Sequence, residues 1–218
     1  PTDGTTGDYC PAGYSCPVGT TAPLPCNDGT YMNHTMASVC DACPPRYYCV
    51  SGDRADECPA GSFCPGNTGF DMQPCPQGTY GPAGGLANAS ECTQCDGGYY
   101  CDQLGATAVT APCYEGYYCQ VGVNIFAPDN NNTGDGGPCP DATHCPLGTS
   151  WPIGCLPGTY QEQSRQALCK PCPAGYYCLA NSTTYLATPC PRGAYCPQGT
   201  EWPYQYECPA GTYNNRTM

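Results

Sequence analysis

Cysteine recurs along this chain in a fixed grammar. Eight segments read Cys-x5-Cys, six with Pro after the first Cys and six with Gly three residues after it: Cys10 to Cys16, Cys43 to Cys49, Cys58 to Cys64, Cys95 to Cys101, Cys113 to Cys119, Cys139 to Cys145, Cys172 to Cys178 and Cys190 to Cys196. Three longer loops carry Gly-Thr-Tyr: Cys26 to Cys40, Cys75 to Cys92 and Cys155 to Cys169, with Tyr31, Tyr80 and Tyr160 five residues after the opening Cys. A Cys-x2-Cys step (Cys40/Cys43, Cys92/Cys95, Cys169/Cys172) joins each long loop to the next short unit. Self-similarity of this kind marks a repeat architecture.

With 23 Cys, 28 Gly and 26 Pro in 218 residues, the composition is that of a disulfide scaffold. Disulfides persist in oxidising compartments, so the expected location is extracellular, secreted or at a cell surface. Five N-glycosylation triplets agree with that placement, at Asn33, Asn88, Asn131, Asn181 and Asn215. No periodic apolar segment reaches helix length, and Gly or Pro interrupts nearly every short window. Crosslinks must therefore replace much of a conventional core, each contributing about 2 to 4 kcal/mol.

The formal charge is -12, and Arg46, Arg54, Arg165, Lys170, Arg192 and Arg216 stand one at a time. Binding to nucleic acid through counterion release needs clustered cations, so nucleic acid is excluded as a partner. No apolar run approaches the roughly 20 residues needed to span a bilayer, and Pro1 begins no signal peptide. Any export signal or anchor is expected outside this segment.

From long loop to long loop the period is 49 residues (Cys26 to Cys75), then 80 (Cys75 to Cys155), then 53 (Cys155 to Cys208). The enlarged period holds a third short unit and an Asn/Gly-rich insertion over 121–138, read as a flexible glycosylated loop. The expected organisation is a partial repeat at 1–25, repeats at 26–74, 75–154 and 155–207, and a further repeat beginning at 208–218. This grammar leaves Cys208 alone as the odd cysteine, opening a loop whose partner is expected beyond Met218. Both ends are expected to cut through a longer array.

Connectivity does not follow from counting. The pairs Cys26–Cys40, Cys75–Cys92 and Cys155–Cys169 are expected because each closes the loop that defines its unit. Within the short-unit blocks two schemes compete. Each unit closes on itself through its Pro-x-Gly turn, or neighbours interlock, Cys43 to Cys58 and Cys49 to Cys64. Interlocking is the favoured expectation, although it leaves Cys139 and Cys145 to close locally.

Gly in the short unit is read as a left-handed turn position, with Pro fixing the entry. Tyr beside Cys (Tyr48, Tyr100, Tyr118, Tyr177) is expected to cover a disulfide while its hydroxyl stays wet. Trp151 and Trp202, in matching Thr-x-Trp-Pro turns, are expected to pack between adjacent repeats, the alternative being that they anchor a partner surface. Cys-Pro-x-Gly-Thr-Tyr, a long loop, Cys-x2-Cys and Cys-Pro-x-Gly-Tyr-Tyr-Cys together resemble the ephrin-receptor-like cysteine-rich repeats, and more distantly tumour-necrosis-factor-receptor and EGF-like modules. The resemblance covers nearly the whole chain. It implies a small disulfide-rich fold: an elongated tandem array of cysteine-rich modules with short β-hairpins and loops and little or no helix. It implies no specific function, since such modules serve as spacers as often as binding sites. The insertion and Cys139-Pro-Asp-Ala-Thr-His-Cys145, which lacks the usual Gly and aromatic, depart from the pattern.

Catalytic residues are not expected: His34 lies in a sequon, His144 beside Cys145, and no Ser/His/Asp grouping follows from spacing. Zinc would leave most cysteines unexplained, and no thioredoxin-like context surrounds the Cys-x2-Cys steps. Asp129, Asn131 and Asp135 faintly resemble a calcium loop, but Pro140 stands where its bidentate acid belongs. No cofactor is expected beyond N-linked glycans and that weak calcium candidate. The expected role is a structural glycoprotein of an extracellular fibre, coat or appendage, its partners being copies of itself or other extracellular proteins. The alternative is the stalk or ligand-binding ectodomain of a receptor.

Overall fold

The computed structural model describes residues 7–129 and 136–215. The protein is a small disulfide-rich fold of tandem hairpin modules. Among the described residues, eighteen strands of two or three residues pair as nine antiparallel two-stranded hairpins, and the one helical element is a 3-10 turn at Ala89–Glu91. Two compact bodies form, Pro1–Gln94 with Gln103–Val109 and Cys95–Asp102 with Thr110–Met218.

The three kinds of sequence unit are one structural unit. Counting from an opening Cys, the fourth and fifth residues pair with the two residues that precede the next opening Cys. In a short unit Tyr47–Tyr48 pairs with Asp56–Glu57. In a long one Thr30–Tyr31 pairs with Asp41–Ala42 in the same register. Only the disulfide differs. All eight short units close on themselves across six residues, whereas Cys26, Cys75 and Cys155 bond Cys40, Cys92 and Cys169, three residues before the next unit opens. The Cys-x2-Cys step is thus the closing half of one bond beside the opening half of the next. The loop pairs are as expected, and the interlocked scheme is overturned. The physical reason is the hairpin, which folds each short unit about its own turn and sets Cys43 and Cys49 at a Cα separation of 5.8 Å, well inside the bridging limit. The 50-residue period resolves into a unit of 15 to 26 residues with twelve opening cysteines, from Cys10 to Cys208.

Backbone conformation obeys the same rule. Every left-handed residue among those described falls at one of two places, three residues after an opening Cys or nine to ten residues after it. The first is usually Gly, but Arg46 (φ 80°) and Ala142 (φ 64°) occupy it without changing the unit, so Cys139 to Cys145 folds like its neighbours despite its aberrant sequence. The second place tolerates Met36, Asn67, Arg165 and Asn181 as well as Gly.

Successive units are sewn together through these positions. Between the units opened by Cys58 and Cys75, Gly61 N–H donates to Gly81 O at 2.9 Å, Cys75 N–H to Gly61 O at 2.9 Å, Cys64 N–H to Leu86 O at 2.9 Å and Gly85 N–H to Cys58 O at 2.7 Å. Contact also reaches the next unit but one. A Cβ on Gly61 would stand 2.2 Å from the carbonyl oxygen of Gly105, and one on Gly29 would stand 2.3 Å from that of Asn67. Arg46 meets the same demand differently, its guanidinium donating to Gly85 O at 2.6 Å and bridging Glu91 at 2.9 Å.

The interior is made largely of cystine. Among the described residues, the buried apolar side chains apart from cysteines are Met32, Ala37, Val123, Pro128, Tyr160 and Ala194. Loops of 6 and of 14 to 17 residues differ little in closure entropy, about 0.6 kcal/mol per doubling of length, so the two disulfide classes restrain the unfolded chain almost equally. The insertion is corrected in part. Val123 is buried with Cys113 and Cys119, Pro128 is fully buried, and Gly136–Pro138 pairs with Tyr117–Cys119. Its Val-x-Ile-Phe string supplies apolar groups that the surrounding Asn and Gly masked.

Two outcomes follow from this geometry. Tryptic cleavage after Arg54 without reduction separates the peptides carrying Cys43–Cys49 from those carrying Cys58–Cys64; an interlocked block stays joined in mass spectrometry. Gly19→Ala, with open space around its Cβ, loses about 1 to 2 kcal/mol for its left-handed backbone, whereas Gly61→Ala loses at least twice as much because its Cβ also meets a backbone carbonyl. Urea unfolding with disulfides intact compares them, and equal losses would contradict the carbonyl contact.

Candidate functional site

What an array of this kind can do lies in the side chains that its repeated backbone leaves facing solvent. In the units opened by Cys95 and Cys155 the fifth residue is turned inward: Tyr100 packs against Cys113–Cys119 of the following unit, and Tyr160 packs on Cys172–Cys178. Tyr160 and Tyr176 both meet Tyr185 edge-on, at 5.0 and 4.9 Å between centroids. Burial, with the nearby Glu162 carboxylate adding to it, pushes the Tyr160 phenol above its ordinary pKa. Of the tyrosines expected to cover a disulfide, Tyr100 does so, whereas Tyr195 and Tyr213, at the fifth position of the last two units, are exposed. At the fourth, Tyr14, Tyr47 and Tyr99 are exposed.

His144 occupies a fifth position, and its Nδ1 lies 3.4 Å from Cys169 Sγ. One donor atom from each of His144, Cys155 and Cys169 falls within 4.8 Å of the others. Those sulfurs are joined as a disulfide and offer no thiolate pair, so the grouping is an imidazole resting on a cystine in the place where other units set an aromatic ring. For the calcium candidate, Asp129 is exposed, and Asn131 and Asp135 lie outside the described residues.

Trp151 and Trp202 are corrected. They are 65% and 49% exposed, not packed between repeats. The residue that each turn buries is the Thr two places earlier. Thr149 and Thr200 are 7% and 1% exposed, and their hydroxyls donate at 2.6 Å to the carbonyls of Pro146 and Pro197, folding the turn so that the Trp points out. Phe70 stands at the equivalent place after buried Thr68 and is 73% exposed, a third member that the sequence reading missed because Gly69-Phe70 lacks the Trp-Pro signature.

Asn33, Asn88, Asn181 and Asn215 are exposed, while Asn131 lies outside the described residues. Their settings differ. Asn88 caps the 3-10 turn, its Oδ1 accepting from Ser90 N–H at 3.1 Å and its Nδ2 donating to Glu91 at 3.2 Å. Asn181 is left-handed (φ 57°), with its Oδ1 folded over Gly154. Asn33 lines a cleft. Among the described residues, Arg46, Arg54 and Lys170 are each paired with a carboxylate, so the few cations form no basic patch.

Truncation separates inward from outward aromatics. Trp151→Ala changes stability by less than about 0.5 kcal/mol, as for an exposed side chain. Tyr160→Ala costs roughly 3 kcal/mol through the lost ring contacts and the cavity. Thermal unfolding of the two variants checks this, and a large loss for Trp151→Ala would restore inter-repeat packing. Compared with known proteins, the chain matches no protein-family profile and no curated sequence.

Proposed function

We propose that the chain is a segment of an extracellular structural glycoprotein whose repeated units assemble into a fibre, coat or cell-surface appendage. The observation that carries this reading is the recurrence of one exposed feature on one backbone unit. Phe70, Trp151 and Trp202 project from equivalent turns in the units opened by Cys58, Cys139 and Cys190. Each is a large apolar group presented singly, with its Thr locked beneath it. A repeat protein that shows the same sticky group at equivalent sites meets its own copies through many equivalent contacts, the condition for open-ended assembly.

Supporting features are the eleven disulfides, which suit an oxidising compartment, and the exposed sequons, which suit glycan decoration. No helix among the described residues is long and apolar enough to cross a membrane. The kinship to ephrin-receptor-like repeats belongs to this proposal too; it rests on the Cys-Pro-x-Gly-Thr-Tyr and Cys-Pro-x-Gly-Tyr-Tyr-Cys strings.

Negative-stain electron microscopy and sedimentation velocity of the secreted protein test the reading. Regular filaments or sheets are expected at high concentration, and the double variant Trp151→Ser, Trp202→Ser is expected to weaken them without unfolding the chain. Isolated monomers at every concentration would reject assembly and leave the ectodomain role.

A further inference from the structure

The first body contains a cleft of about 330 Å³ lined by Tyr31, Asn33, Pro44, Tyr47, Arg54 and Ala55. Two adjacent units build it, Tyr31 and Asn33 from the one opened by Cys26 and the rest from the one opened by Cys43. After the strand Thr30–Tyr31 the side chains alternate. Met32 is buried at 3% exposure, and its neighbours Tyr31 and Asn33 both line the cleft. The acceptor of the first sequon thus opens directly into a preformed concavity.

We propose that this cleft seats the first N-acetylglucosamine of a glycan on Asn33, so that the sugar fastens two neighbouring units as well as covering them. The inference rests on the glycoprotein reading and adds a specific site to it. The volume is near the low end of the roughly 300 to 1,000 Å³ that small-ligand sites occupy, which suits one pyranose ring. A pyranose has an apolar face of C–H groups, and Tyr31 and Tyr47, which line the cleft, carry the aromatic rings that such a face can cover. Its hydroxyls and acetamide carbonyl accept hydrogen bonds, which the Arg54 guanidinium supplies from a rigid fork of donors. Arg54 Nε is held by Asp56 at 3.1 Å, leaving its terminal nitrogens for the sugar.

The other described acceptors lack this setting. The Asn88 amide is engaged by Ser90 and Glu91, and the Asn181 side chain lies against Gly154. Asn215 follows the same Gly-Thr-Tyr-x-Asn string as Asn33, but its Tyr213 is 83% exposed.

The test uses the whole chain secreted from eukaryotic cells and trimmed enzymatically to one N-acetylglucosamine per site. Glycopeptide mass spectrometry reads occupancy, and amide hydrogen exchange reads residues 44–55. Asn33→Gln is expected to raise exchange there about five- to tenfold by freeing local opening, whereas Asn88→Gln leaves it unchanged. Proton spectra of the trimmed protein are expected to show sugar signals displaced by ring currents that vanish in Tyr47→Ser. Sugar on Asn33 with neither effect overturns the inference and leaves the glycoprotein reading intact. Sugar elsewhere but not on Asn33 does the same, and sugar at no sequon overturns both.

Discussion

The fold depends on a close approach of backbone to backbone. The left-handed turn of one unit brings a carbonyl oxygen against the third residue of the unit two places earlier, near enough that a Cβ on Gly61 would stand 2.2 Å from it. That approach fixes the spacing of units, and the spacing sets where the ladder between neighbours forms, as in Gly61 N–H to Gly81 O and Cys75 N–H to Gly61 O. Cystine then fills the narrow interior that remains. The disulfides hold the unfolded chain near this arrangement, while the carbonyl contact and the ladder select it. At Arg46, where the glycine is missing, a guanidinium reaches the Gly85 oxygen instead.

Much of this was legible in the cysteines. The eight short units, the three long loops and the odd Cys208 follow from spacing, and the fold class follows from the family resemblance that those strings carry. The pairing inside the blocks did not, because local and interlocked schemes use the same residues, and only the hairpin that places Cys43 beside Cys49 decides between them. Nor did the true size of the unit. Its second left-handed position is filled by Gly52, Met36, Asn67 and Arg165 alike, so no letter marks it. Sequence shows where the chain is crosslinked more readily than where the backbone alone is constrained.

The outward groups were misread for a related reason. Thr-x-Trp-Pro has one residue to bury and one to expose, and size favours burying the Trp. The turn favours burying the Thr, because its hydroxyl can reach the proline carbonyl three residues back while a buried indole N–H would need its own acceptor. In the insertion the error ran the other way. Val123 and Pro128 are interior although Asn and Gly surround them, and Phe126 stacks on Tyr114 at 4.7 Å between centroids.

These constraints act on few positions per unit: an opening Cys, a third residue that accepts left-handed backbone, a second left-handed residue and a partner Cys. Other positions differ from unit to unit, the solvent-facing turns among them. There the chain places Phe70, Trp151 and Trp202, and between two units it places Asn33 beside Tyr31, Tyr47 and Arg54. With a formal charge of -12, copies of the protein repel one another chiefly where their charges come within about 8 Å, since physiological salt screens the repulsion beyond that distance. The Thr149-Ser150-Trp151-Pro152 turn has no charge to desolvate and a large apolar ring to bury, so contact made there gains hydrophobic energy without opposing like charges at the point of touch.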